Sequence, residues 1–214
     1  MQSVSVSIDI LVTFCQFASM NELGNGAARQ DAILDAGFQT FAAYGYKRTS
    51  MDDIARAAGL SRTALYLHFR SKEDIFRSLA LRYFDQALLD METALNRPDQ
   101  TMEQALYASF VAKDGKFMEA VLSTPHGSEL LDAGFAVSLD LALAGEAKMT
   151  DLIARWLAAH DVPSDLGPAR ALAGTIFAAL KGMKSSATSL HDLRQAEIGL
   201  ARLVARAMGR HAPL

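Results

Sequence analysis

Along most of this chain the apolar positions recur with a helical period. Ile33, Leu34, Phe38 and Phe41 fall at i, i+1, i+5 and i+8, as on the buried stripe of an amphipathic helix over about 28–44, and Gly45 stands where it would stop. Ile54, Ala55 and Ala58 form a second, shorter stripe, with Ser50 as N-cap, Asp53 as its capping-box partner and Gly59 as the terminator. Ser61 caps a third helix, in which Leu65 and Phe69 share one side. Ser71, with Asp74 three residues on, opens a long helix striped by Ile75, Leu79, Tyr83, Leu88 and Met91, and Asn96 and Pro98 end it. Thr101 with Gln104 starts the next, carrying Leu106, Phe110, Phe117 and Val121, with a break expected around Lys113 to Lys116. Pro125 and Gly127 mark a loop, and 128–160 reads as one or two helices with Gly145 as the expected interruption. After a turn at Val162-Pro163, helices over about 167–186 and 190–208 complete an all-α fold without internal repeats.

The second and third helices, joined by a tight glycine turn, form a helix-turn-helix, a unit that normally sets its second helix in the major groove of DNA. With Leu65 and Phe69 facing inward, Thr63, Ala64 and Leu67 point away from the core, flanked by Tyr66 and His68, and Arg62 lies at the exposed N-terminal end. An outward leucine suits a face that meets something, such as a thymine methyl. Arg62 has the fork to read guanine edges, whereas Thr63, Tyr66 and Lys72 suit phosphate oxygens. The DNA-facing set is therefore Thr49, Ser50, Ser61, Arg62, Thr63, Ala64, Tyr66, Leu67, His68 and Lys72.

Residues 1–27 fit neither stripe pattern. Val4, Val6, Ile8 and Ile10 alternate with polar residues, no lysine or arginine precedes Arg29, and Met20 offers an alternative start for a flexible arm. No stretch reaches the roughly 20 apolar residues of a membrane span, which points to a cytoplasmic protein. The 214 residues, half of them hydrophobic, suffice for a sizeable core. A single cysteine, Cys15, excludes an internal disulfide framework and a cysteine-rich zinc site. A net charge of −3 argues against a nucleic-acid binder until its distribution is seen. Between Ala28 and Arg77 eight basic residues face six acidic ones, so this segment carries +2 and the remainder −5: a basic head on an acidic body.

The segment from Ile33 to Ile75 resembles the N-terminal domain of the TetR-type transcriptional regulators. The likeness rests on Ile33-Leu34-Asp35-Ala36, Phe41-Ala42-Ala43-Tyr44-Gly45-Tyr46, Thr49-Ser50, Ile54-Ala55 and Ala58-Gly59, and closes with Leu65-Tyr66, His68-Phe69 and Ser71-Lys72-Glu73. Members of that family often carry threonine or serine where this chain has Ala64, so a hydroxyl contact is missing here. The resemblance implies an arm over 1–27, a three-helix DNA-binding domain over 28–74, and a helical ligand-binding and dimerisation domain over 75–214. It further implies a repressor of double-stranded operator DNA, acting as a homodimer and released by a small molecule.

Two features of the body bear on that expectation. Gly174, Ala178 and Gly182 recur every four residues, and Leu200, Leu203, Val204 and Ala207 form a stripe on the last helix. Either set could cover its own core; the resemblance makes both a dimer interface, two-fold like a palindromic site. Candidate ligand-lining residues are Phe110, Phe117, Met118, Phe135, Trp156 and Phe177, and an apolar or aromatic effector would fit them. Nothing reads as an enzyme, a cofactor site or a metal site: His68, His126, His160, His191 and His211 make no i, i+3 or i+4 pairs, and nucleophile elbow, phosphate loop and HExxH are all missing. The competing reading is a helical ligand-binding or adaptor protein without DNA binding.

Overall fold

Serine hydroxyls start several helices. Ser50, Ser61, Ser71 and Ser189 each accept a bond from the backbone N–H three residues on, satisfying a donor that the helix itself leaves open. The computed structural model describes residues 26–123 and 126–209, without the side chains of 115–123, 127, 128, 131 and 133–135. Every regular element among the described residues is helical. Helix α1 occupies 26–44, followed by α2 (Met51–Ala57), α3 (Arg62–Tyr66) and the long α4 (Lys72–Leu95). Then come α5 (Met102–Ser123), α6 (Gly127–Ala158), a 3-10 turn (Ser164–Leu166), α7 (Ala169–Ser186) and α8 (Leu190–Met208). The arm expected over 1–27 lies outside the described residues except for its last two, which begin α1.

Two apolar cores organise these helices. The first gathers Ile33, Leu34 and Phe41 of α1, Ile54, Leu65, Phe69, and Ile75 and Phe76 of α4; Phe41, Tyr46 and Phe76 form a ring triangle with centroids 5.1–5.5 Å apart. Phe38 is only half-buried. The second core holds Met91 and Leu95 of α4, Leu106 and Phe110 of α5, Met149, Ile153 and Leu157 of α6, Ile176 and Phe177 of α7, and Ala201 and Val204 of α8. Helix α4 thus belongs to both. The first core is also closed from the body side, by Leu130 of α6 and Leu193 of α8, so head and body share buried surface.

Two expectations about helix breaks are corrected. Helix α5 runs unbroken through Lys113 and Asp114, because those charges have partners inside the bundle. Helix α6 also passes straight through Gly145, whose missing side chain makes room for the Phe84 ring of α4. Its kink lies instead at Ser138 (φ −134°, ψ 23°), where the guanidinium of Arg77 donates to the Val137 carbonyl at 2.7 Å and pairs with both oxygens of Asp140 at 2.8 and 2.7 Å. At the kink a backbone carbonyl is thus bonded by a side chain from α4.

Candidate functional site

The turn between α2 and α3 is built from local chemistry. Ser50 Oγ accepts from Asp53 N at 3.3 Å while Ser50 N donates to Asp53 Oδ2 at 3.0 Å, a complete capping box. This bonding, chiefly from the Ser50 side chain, holds the Asp53 carboxyl below its usual range. At the other end Gly59 takes φ +66°, which an L side chain resists; Gly59 N reaches Arg56 O at 3.2 Å and Leu60 N reaches Ala55 O at 2.8 Å. That pair of bonds is a Schellman ending, which turns the chain sharply into Ser61 and α3.

On α3 the inward and outward residues separate cleanly. Leu65 is fully buried and Phe69 nearly so, which anchors the helix. Leu67 is 81% exposed, Tyr66 42% exposed, and Arg62 and Thr63 stand in solvent, while Ala64 is half-exposed. Arg62 pairs with Asp52 at 3.0 Å and lies 5.6 Å from the Tyr66 ring centre. An exposed pair of this kind is worth about 0–1 kcal/mol, so it orients the guanidinium without locking it.

Other residues of the expected set have partners within the head. Thr49 is buried, its hydroxyl donating to Gly45 O at 2.8 Å. Lys72 Nζ donates to three carbonyls of the same turn, Tyr46 O at 2.9 Å, Lys47 O at 3.1 Å and Thr49 O at 3.0 Å, and sits 4.7 Å from the Tyr46 ring centre. Ser50 and Ser61 are exposed but engaged as caps. His68 is half-buried and lines a cleft of about 360 Å³ with Gln30, Asp31 and Asp74. Outside the expected set, Lys47, Arg48 and Arg70 are exposed cations of the head, legible as part of its basic charge.

In the body the expected residues disperse. Phe110 and Phe177 are buried in the second core. Trp156 donates from Nε1 to Leu95 O at 3.2 Å and stacks on His160, closing the far end of α4. The side chains of Phe117, Met118 and Phe135 lie outside the described residues. Gly174, Ala178 and Gly182 are exposed, and a methyl group added at either glycine would meet nothing within 4 Å. The α8 stripe divides: Leu203 is 68% exposed, Val204 is buried, and Leu200 and Ala207 are intermediate.

One body cluster was not expected from the sequence. Asp114 of α5 is approached by Lys113 at 3.5 Å, by Arg194 at 3.8 Å and most closely by Lys184. Arg194 also donates to Glu197 Oε2 at 2.6 Å, while the buried Glu197 Oε1 has no hydrogen-bond partner. Burial, then the neighbouring Asp114, pushes Glu197 up to about 7, and burial pulls Lys113 down to about 8. Of these residues only Arg194 and Glu197, one helical turn apart, carried a local signal.

A short outward-facing helix set on a capped turn and carried by an all-helical body defines a helix-turn-helix protein. Residues 33–79 match the family model of the bacterial regulatory proteins of the tetR family, a match that spans the helix-turn-helix and the start of α4. It is 32% identical over 111 residues to the HTH-type transcriptional repressor ComR of Escherichia coli, 52% of each protein. The chain spans about half the length of the curated relatives it matches first. Its fold is that of SmeT, the repressor of the Stenotrophomonas maltophilia multidrug efflux pump SmeDEF (TM-score 0.60, 20% identity, 83% of this chain and 89% of SmeT), which has also been solved with triclosan. The TetR-family repressor AlkX of a Dietzia strain shares it too (TM-score 0.54, 21% identity, 86% of this chain and 98% of AlkX). Among the described residues no helix is long and apolar enough to cross a membrane, and no three His, Cys, Asp or Glu residues cluster as metal ligands.

Proposed function

We propose that this protein is a cytoplasmic transcriptional repressor that binds a palindromic operator as a homodimer and leaves it on binding a small molecule. The observation that carries the reading is α3 itself: Leu65 and Phe69 hold it from within, so Arg62, Thr63, Tyr66 and Leu67 meet the groove. Arg62 and Leu67 read base edges, and Thr63, Tyr66 and His68 meet backbone phosphates beside a close-approaching Ala64. Thr49, Ser50, Ser61 and Lys72 serve the interface chiefly by fixing the two turns that aim α3.

The division near residue 74 separates this head from a body that binds the effector and the second subunit. The open strip of Gly174, Ala178 and Gly182 with exposed Leu203 is the dimer face, because a second copy would cover what this chain leaves bare. Phe110, Phe177 and Trp156 belong to the apolar surroundings of the effector site. SmeT with its triclosan supports an effector-binding body, and ComR's name supports repression. No step of this function asks for catalysis. Mobility-shift titration of the full chain against the DNA upstream of its own coding sequence tests the proposal. Saturable binding to one palindromic segment is expected; binding no tighter than to random duplex would favour the helical ligand-binding alternative.

A further inference from the structure

The Lys113–Asp114–Lys184–Arg194–Glu197 cluster holds more positive than negative charge. Among the described residues, three cations from α5, α7 and α8 face two carboxylates, and Lys113 meets Asp114 at 3.5 Å, a carboxylate that also serves Lys184 and Arg194. Glu197 spends Oε2 on Arg194 and sets its buried carboxyl beside that of Asp114. Beyond Lys113 Nζ lies the Phe177 ring, 5.7 Å to its centre, and the Tyr83 hydroxyl donates to the Lys113 carbonyl, so the lysine stands against aromatic walls. A buried ammonium in such surroundings is costly unless a counter-charge satisfies its donors. Lys184 and Arg194 keep 24% and 19% of their side chains exposed, which leaves the cluster reachable from outside.

We infer that this cluster is an anion site and that the effector of the body is an organic monocarboxylate: an acid group held by Lys113 and Lys184, with an apolar part against Phe177. With both carboxylates ionised the excess is one unit of charge, which a monoanion balances. The inference rests on the effector reading of the body and adds the acid group to it. Burial and the Asp114 carboxylate, by holding Glu197 up near 7, enlarge the excess on the acid side of neutrality.

The test uses the full chain and two matched series, straight-chain carboxylates with their primary amides, and benzoate with benzamide. Binding is read by calorimetry and by the shift in melting temperature. At least one acid should bind tenfold or more tightly than its amide, and Lys113→Met should erase that preference while leaving the amide's affinity in place. Glu197→Gln should strengthen acid binding several-fold at pH 8 and little at pH 6. If circular dichroism shows Lys113→Met to be unfolded, the Glu197→Gln titration decides, and unchanged or weaker acid binding at pH 8 overturns the inference. No acid outbinding its amide, or a preference that survives in folded Lys113→Met, overturns it as well. Lys113-dependent acid binding that leaves operator affinity unchanged would keep the anion site and sink the repressor reading; operator release by neutral ligands alone would do the reverse.

Discussion

Lys72→Met should destabilise the protein before it touches DNA affinity directly. The ammonium donates to Tyr46 O, Lys47 O and Thr49 O at 2.9–3.1 Å and leans on the Tyr46 ring, so it staples the turn between α1 and α2 to the start of α4. Hydrogen bonds to a charged group contribute about 1.5–3 kcal/mol each when water cannot replace the donor. The Lys47 bond is exposed and counts for little, whereas the Tyr46 and Thr49 bonds are partly buried. Two bonds at the low end of the range give a loss of about 3 kcal/mol. For a chain of this length that lowers Tm by roughly 6–12 °C. Thermal and urea unfolding of the full chain at fixed protein concentration measures it, with Lys72→Arg as the charge-preserving control. The opposite pattern would refute the staple: an unchanged Tm with DNA binding weakened on every sequence and a salt slope reduced by about one makes Lys72 a phosphate contact.

Three further outcomes are expected. Arg62→Ala should cost about 1–3 kcal/mol of operator binding and relax preference at one base position per half-site, read by selection from random DNA; an unchanged preference removes Arg62 from the readout. Gly174→Leu, at a site open in the single chain, should give monomers by sedimentation and weaken operator binding through loss of the second linked head; intact dimers would place the interface elsewhere. The buried cluster should leave a trough in stability near pH 7–8. Glu197, raised from 4.5 to about 7, binds its proton better folded, so its contribution is lost as pH climbs through that interval. Lys113, lowered from 10.5 to about 8, sheds its proton more easily folded, so stability returns between pH 8 and 10.5. Urea titrations across pH should show Glu197→Gln flattening the acid limb and Lys113→Met the alkaline one.

What the sequence disclosed was whatever nearby residues decide. Ser50 with Asp53, Gly59 and Ser61 lie within a dozen positions, and the caps and turn they form follow from backbone groups that must be satisfied locally. Features made by distant partners stayed hidden. The α6 kink depends on Arg77, some 60 residues away, and nothing about Ser138 announces it. Lys72 looks like any exposed cation until the 46–49 turn closes over it. On α8 the buried side is Leu193, Glu197, Ala201, Val204 and Met208. A glutamate in that stripe breaks its apolar period, so the apparent face of Leu200, Leu203, Val204 and Ala207 sits partly off the buried side.

The place of the charged cluster gives it a route to the reading helix. Lys184 follows Met183, which packs against the core of the head, and Arg194 follows Leu193, which is buried within it. An anion that drew the Lys184 and Arg194 side chains toward Lys113 would therefore act on residues directly adjacent to two that close the head core. Across that core, Phe76 of α4 touches the Phe41 and Tyr46 rings, and Tyr46 carries one of the carbonyls held by Lys72. Arg77, next along α4, grips the α6 kink, so α4 cannot turn without disturbing Val137 and Asp140. Two arrangements of this packing, one filled by the anion and one by operator DNA, would make the ligands mutually exclusive to the same degree in either order of addition, commonly about 5–150-fold. Arg77→Ala, which touches neither ligand, should then reduce the factor by which acid weakens operator binding while each ligand alone keeps its affinity to within a few-fold. Titrating operator with and without saturating acid in that variant measures it, and an unchanged factor would remove the α4–α6 grip from the route.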